Sequence, residues 1–268
     1  MPKQPTTYYR PRSVDEALRL LQQPNTVPLA GGTALLATEE GLDSAVVDLQ
    51  DAGLNSLSWA DDGRLLRLGA MVRLADLHDF LTPLTRHEGG AALLGDALHR
   101  AGPNTYRHAA TVGGIVASRL PDSELLAALL ALGTTVSLRL PAPETISLAA
   151  WLADDDRPPG LITEFDIFWP AGRGVAERVA RTPADTPIVA VTLWQPRDGA
   201  PRLAATGIAP RPLRLAAAEA ALRGGIDEAS IAAAAEAARA ATTHPGDFRG
   251  DAAYRAEMAA VLTRRVLG

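Results

Sequence analysis

The sequence predicts an α+β fold divided into two or three subdomains. Three observations carry this. Helical and strand-like patterns are mixed without the regular alternation that a parallel sheet of βαβ units would show. The last third reads as two strands followed by three helices, which suggests a separate layer. The chain has 268 residues, of which 47% are hydrophobic, and a mean hydropathy of +0.03. It is therefore globular, with enough length for one large domain or two modest ones.

The first element is a helix with a marked start. Ser13-Val14-Asp15-Glu16 is a capping box, and Val14, Ala17, Leu18 and Leu21 fall on one apolar face. Val27–Ala30 reads as a short strand running into Gly31-Gly32, and Ala45–Leu49 as a second strand. From Leu57 to Arg73 short alternating runs around Asp61-Asp62-Gly63 predict a hairpin. Helices are expected over Leu74–Phe80 and Ala91–Ala101, followed by a small-residue segment, Arg107–Ser118. A helix from about Asp122 to Leu132, capped by Asp122 and stopped by Gly133, is apolar all round and should be buried. Thr134–Leu140 and Leu161–Trp169 are strand-like; Pro158-Pro159-Gly160 precedes the second and Pro170-Ala171-Gly172 follows it. Pro187–Gln195 and Arg202–Ile208 predict a strand pair, and helices follow over Leu213–Arg223, Glu228–Thr242 and Ala252–Leu267. No internal repeat is found. Trp59, Trp151, Trp169 and Trp194 are expected as packing aromatics, and Asp154-Asp155-Asp156 as a solvated loop.

Composition excludes several kinds of chemistry. With no cysteine, the chain offers no thiolate nucleophile and no cysteine-held iron–sulfur cluster. Lys3 is the only lysine and the other 25 basic residues are arginine, so a P-loop or an interior Schiff-base lysine is out. The five histidines are scattered without ligand spacing, and no metal site is expected. A net charge of −5 and a pI near 5.6 argue against a nucleic-acid protein. The longest apolar runs are too short to span a membrane. Met1-Pro2-Lys3-Gln4 carries no apolar signal core, so the expected compartment is the cytoplasm.

Two glycine pairs carry the functional reading. Ala30-Gly31-Gly32-Thr33-Ala34-Leu35 follows a predicted strand, and Thr111-Val112-Gly113-Gly114 lies in the small-residue segment. Glycine admits close backbone approach and lets N–H groups turn toward an anion, so two such loops could clamp a pyrophosphate, with a hydroxyl from Thr33 or Thr111. A Gly-Gly pair is by itself a common turn signal.

Four segments in order resemble one known family across nearly the full length. They are Tyr8–Ala17, Leu29-Ala30-Gly31-Gly32-Thr33, Arg107-His108-Ala109-Ala110-Thr111-Val112-Gly113-Gly114, and Asp247–Arg255 running on to Val261–Arg265. The chain resembles the FAD-binding medium subunit of the molybdenum hydroxylases, the group of xanthine dehydrogenase and aerobic carbon monoxide dehydrogenase. The resemblance implies a vanillyl-alcohol-oxidase-type FAD-binding fold with a C-terminal domain of a small sheet plus helices. The implied subdomains span 1–55, 56–172 and 173–268. It also implies FAD as cofactor, and an iron–sulfur small subunit and a molybdopterin large subunit as partners. Electrons would pass from the clusters through FAD to an acceptor, with no catalytic side chain required.

By the same resemblance, Gly31, Gly32, Thr33, Thr111, Gly113 and Gly114 would hold the FAD phosphates, and Ala30, Ala34 and Leu35 would belong to the same cofactor-binding site. Arg107, Ile115, Glu124 and Arg178 would line the site. The sequence departs from the family at several of these places. Ala34 stands where Asp or Ser is usual, Ile115 replaces an Asn, and Glu124 replaces an Asp. Arg178, Arg181 and Thr182 stand where a Lys and two Arg are usual. Two other readings stay open: a stand-alone FAD-dependent oxidoreductase acting on a small molecule, and a family scaffold that has lost its flavin.

Overall fold

The computed structural model describes residues 4–37, 41–85, 89–139, 142–154, 156, 160–169 and 171–268. The predicted Pro158-Pro159 turn, Leu140, Asp155 and Pro170 lie outside these. The first region holds β1 (Thr7–Tyr9), α1 (Val14–Leu21), β2 (Thr26–Leu29) and β3 (Ala45–Asp48). These strands form a parallel sheet in the order β1-β3-β2. The Ser13 hydroxyl accepts from the Glu16 N–H at 3.2 Å, as the capping box predicts, but the Glu16 carboxylate takes the Arg12 N–H at 2.9 Å, one residue before the cap.

The central region begins with the predicted hairpin, β4 (Leu57–Ala60) and β5 (Leu65–Gly69). Asp61 and Asp62 turn at φ of 50° and 51°, a pair of left-handed residues that suits a two-strand connection. Then come α2 (Leu74–Leu81), α3 (Gly89–Arg100), α4 (Asn104–Ala109), α5 (Val112–Ser118), α6 (Glu124–Leu132), β6 (Thr135–Arg139), β7 (Pro143–Ser147), α7 (Leu148–Ala153) and β8 (Leu161–Phe168). The five strands pair antiparallel in the order β4-β5-β8-β6-β7. Helices α2, α3 and α5–α7 bury their apolar residues against this sheet. Every residue from Leu125 to Leu132 is buried, as the all-apolar pattern requires. The N-cap of α6 differs from expectation. Ser123, not Asp122, accepts from the Leu126 N–H at 3.3 Å, because Asp122 is held by the Arg249 guanidinium at 3.0 Å.

The last region holds β9 (Gly172–Val179), β10 (Val189–Pro196), β11 (Arg202–Thr206), β12 (Leu213–Arg214), α8 (Ala216–Ala221), α9 (Glu228–Ala240), β13 (Gly246–Asp247), β14 (Gly250–Asp251) and α10 (Ala252–Leu267). Its antiparallel sheet runs β12-β11-β10-β9, and α8–α10 cover one face. The helix expected from Leu213 begins at Ala216 instead, because Leu213-Arg214 first extend the sheet beside β11. Trp151, Trp169 and Trp194 are buried, and Trp59 meets Trp169 edge-on at 5.3 Å.

The Asp247–Arg255 segment has a structural reason. Arg255 is fully buried in α10. Its guanidinium donates to the Ile188 and Gly207 carbonyls at 2.7 Å each, to the Gly250 carbonyl at 3.1 Å and to Asp247 Oδ1 at 2.6 Å. One side chain therefore ties the β13–β14 hairpin to the start of β10 and the end of β11. Burial raises the pKa of Asp247, but the Arg249 N–H and the Arg255 and Arg249 guanidiniums outweigh it and hold the carboxyl well below the usual range.

Candidate functional site

The first glycine loop leaves the parallel sheet at the end of β2, where the Leu29 carbonyl accepts from the Leu49 N–H at 3.0 Å. Gly32 takes φ +72°, and the turn closes as Leu36 donates to the Gly32 carbonyl at 3.0 Å. Among the described residues, the N–H groups of Gly31, Gly32, Thr33, Ala34 and Leu35 have no acceptor. None of these residues is fully buried. A run of unspent amides on a left-handed turn is a concavity suited to an anion.

The second glycine pair is built differently. Ala110 and Thr111 are extended, and Thr111 caps α5 by accepting the Gly114 N–H at 3.1 Å. Val112 donates to the Val72 carbonyl and Gly113 to the Ala70 carbonyl, both at 2.9 Å, and Ile115 donates to the Thr111 carbonyl at 3.0 Å. All four amides from Val112 to Ile115 are spent inside the fold. This corrects the expectation that both glycine pairs turn their N–H groups toward a ligand. The reason is a close crossing: a Cβ on Gly113 would lie 2.7 Å from the Ala70 carbonyl oxygen, so this glycine lets the chain after β5 pass. Ile115 is 6% exposed and belongs to the central core. The Thr111 hydroxyl keeps its own proton to donate.

The structure brings the two loops into contact. A Cβ on Gly31 would lie 1.9 Å from the Ala109 carbonyl oxygen, and one on Gly114 would lie 3.9 Å from the Ala30 Cβ. Only a residue without a side chain fits at Gly31. Arg107 faces elsewhere. It donates to the His99 and Gly102 carbonyls at 2.8 and 3.2 Å, joining the end of α3 to α4. His108 is exposed.

Glu124 and Arg178 form a second group. Glu124 opens α6 with its side chain 9% exposed. Its Oε2 lies 3.3 Å from Arg178 Nε on β9, and its Oε1 lies 3.6 Å from Arg100 on α3. Burial raises the Glu124 pKa against the pull of Arg178 and Arg100. Arg178 also donates to the Pro183 carbonyl at 3.0 Å and to the Asp185 carbonyl. Sequence reasoning did not single out Arg100, whose role depends on a helix–helix approach that no local pattern records.

Two family patterns match this chain, one after the other. The pattern described as "FAD binding domain in molybdopterin dehydrogenase" matches residues 4–167. This chain belongs to that family. A second pattern, "CO dehydrogenase flavoprotein C-terminal domain", matches residues 190–268. The chain is 32% identical over 262 residues to YgfM of Escherichia coli, covering 95% of this chain and 92% of that protein. It is 30% identical over 287 residues to the carbon monoxide dehydrogenase medium chain of Afipia carboxidovorans, covering 97% and 94%. Its structure resembles a chain of the carbon monoxide dehydrogenase of Hydrogenophaga pseudoflava with a TM-score of 0.87 at 26% identity, covering 99% and 96%. The chain is therefore an FAD-binding flavoprotein of an oxidoreductase family, with the medium-subunit fold.

FAD also fits what the residues present. The first loop offers amides without acceptors, and the glycine at position 31 lets that loop lie on the α4–α5 connection with no side chain between them. Among the described residues, no helix is long and apolar enough to cross a membrane, and no cluster of His, Asp and Glu is arranged to hold a metal.

Proposed function

We propose that this chain is the electron-transferring flavoprotein subunit of a cytoplasmic molybdenum hydroxylase complex. In this reading its partners are an iron–sulfur small subunit and a molybdopterin large subunit, and it passes electrons from the clusters through FAD to an acceptor. The observation that carries the reading is the row of unspent amides at Gly31–Leu35 pressed against the α4–α5 connection. A cysteine-free chain leaves the clusters to other subunits, which agrees with the division of labour. Bound FAD would supply the redox chemistry, taking up electrons and giving them on.

The chain's own residues divide the work. The amides of Gly31, Gly32, Thr33 and Ala34 hold the pyrophosphate, with Ala30 and Leu35 shaping the loop. Thr111, Gly113, Gly114 and Ile115 form the rigid floor on which that loop rests, and the Thr111 hydroxyl adds one donor. Arg107 fixes the approach of α4. Glu124 and Arg178 form a charged wall between the central and last regions. Three subdomains, 1–55, 56–172 and 173–268, frame the cofactor.

The test is the visible absorbance spectrum of the purified chain before and after adding FAD. The expected result is a flavin spectrum at near one equivalent. A chain that stays colourless and binds no FAD on titration would overturn the reading and leave the fold without its cofactor.

A further inference from the structure

The β13–β14 hairpin joins the last region to the central one, and polar contacts rather than packing hold its tip. Its two strands pair only at Gly246–Asp251 and Asp247–Gly250, and a ribbon that short is marginal on its own. Its tip residue Phe248 is 87% exposed. Asp247 Oδ1 accepts from the Arg255 guanidinium at 2.6 Å and from the Arg249 N–H at 2.9 Å. The Arg249 guanidinium reaches across to Asp122 Oδ2 at 3.0 Å, two residues before α6, and to Thr186 Oγ1 at 3.1 Å, in the loop before β10.

The remaining tie lies at the base of the hairpin. Gly246 turns at φ +97°, where a Cβ would lie 2.9 Å from the Asp251 Cα. Its N–H donates to Nδ1 of His244 at 2.9 Å. A ring nitrogen that accepts carries no proton, so this imidazole is neutral with its proton on Nε2. The backbone beneath it is fixed, because the Thr243 and His244 N–H groups both donate to the Ile208 carbonyl, at 2.8 and 2.9 Å. The charged groups that face the ring are Arg255 from α10 and Asp247 and Arg249 from the hairpin. Burial, Arg255 and Arg249 outweigh the pull of Asp247 and hold the imidazole pKa below its ordinary value.

We propose that the hairpin is a proton-operated latch with His244 as its switch, closed on the neutral imidazole and opened when Nδ1 takes a proton. That proton removes the acceptor of the Gly246 N–H and sets two N–H groups against each other. It also adds a third positive charge beside Arg249 and Arg255. With Gly246 released the turn relaxes, and Arg249 no longer holds Asp122 and Thr186 together. The contact between the last region and the start of α6 loosens. The latch is a property of the fold and does not rest on the flavoprotein reading.

The test is amide hydrogen exchange of the whole chain, expressed as protection relative to the unfolded rate at the same pH. It compares about pH 7.5 with about pH 5.5, on either side of the ordinary imidazole value of about 6.5. Opening is favoured about tenfold for each pH unit below that value while the closed imidazole stays neutral. In the parent, protection at the Gly246, Arg249 and Gly250 amides should therefore fall about tenfold. His244→Asn sets a carboxamide oxygen where Nδ1 stands, an acceptor that does not titrate, and should keep its protection at both pH values. His244→Ala has no acceptor there and should show low protection at both. Amides inside α10, such as Ala259 and Ala260, should stay protected throughout, which separates opening of the latch from unfolding. Parent protection that does not change with pH would overturn the proposal, and so would an equal fall in His244→Asn or full protection in His244→Ala. The readout needs no bound flavin, so a chain that takes up no FAD would still decide it.

Discussion

The two glycine pairs look alike in sequence and differ in what their backbones do. At Gly31-Gly32 the chain leaves the edge of a parallel sheet, turns left-handed at φ +72°, and keeps its amides unspent. At Gly113-Gly114 the chain enters a helix, and each amide from Val112 to Ile115 finds an acceptor within the protein. A glycine pair thus marks a need for space, and the fold decides what the space is for. In the first loop it admits the Ala109 carbonyl and leaves the amides open; in the second it admits the crossing chain at Ala70. The absence of a polar side chain at position 115, where Ile115 replaces the usual Asn, is cheap on this account, because that position packs the core.

Substitutions separate the two roles. The largest effect is expected for Gly31→Val. Its side chain meets the Ala109 carbonyl, so the two loops must part. Overpacking of this kind costs about 1–3 kcal/mol or more, and FAD binding should be lost, as read by flavin content after purification. Next comes Gly32→Ala. A left-handed alanine costs about 1–2 kcal/mol, and the loop's amides lose their alignment, so FAD affinity should fall with a modest drop in denaturant midpoint. Thr111→Ala should show the reverse balance. Loss of the cap costs about 1 kcal/mol of stability, while FAD affinity should change less than in Gly32→Ala.

The smallest effect near neutrality concerns pH, and it sharpens the contrast, because neither Ala30–Leu35 nor Ala110–Ile115 contains a titratable side chain. The acid response must come from elsewhere. Asp247 has a depressed pKa in the folded chain. Its stabilising contribution is therefore full above the ordinary carboxylate value of about 3.9 and is lost as pH falls below it. Glu124 acts in the opposite sense. Burial raises its folded pKa, so its contribution is full in acid and fades as pH rises through the raised value. Unfolding free energy followed by denaturant from neutral to acid pH should be nearly flat near pH 7 and fall steeply in strong acid.

Much of the architecture was legible in the sequence, for reasons that are local. The capped start of α1, the buried run Leu125–Leu132 and the whole of α10 follow from periodicity and caps. The strand β9, with the sequence Gly-Arg-Gly-Val-Ala-Glu-Arg-Val, carries no strand pattern of its own; it becomes a strand by pairing with β10. Strand β12 and the true cap of α6 were likewise set by distant partners, β11 and Arg249. At the site, the glycine pairs were visible but their difference was not. Gly114 is silenced locally by the Thr111 hydroxyl, but the acceptor for Gly113, the Ala70 carbonyl, lies some forty residues away in sequence, and only the folded chain brings it there.

The central claim is that the first loop's amides hold FAD and the second loop's amides hold the protein. The most direct measurement follows the backbone amide resonances of glycines 31, 32, 113 and 114, with Thr33 and Ala34, by nuclear magnetic resonance during FAD titration. The account predicts large downfield shifts and slowed hydrogen exchange at Gly31, Gly32, Thr33 and Ala34. Gly113 and Gly114 should already be protected from exchange without FAD and should shift little. Large shifts at Gly113 and Gly114 with none at Gly31–Ala34 would contradict it.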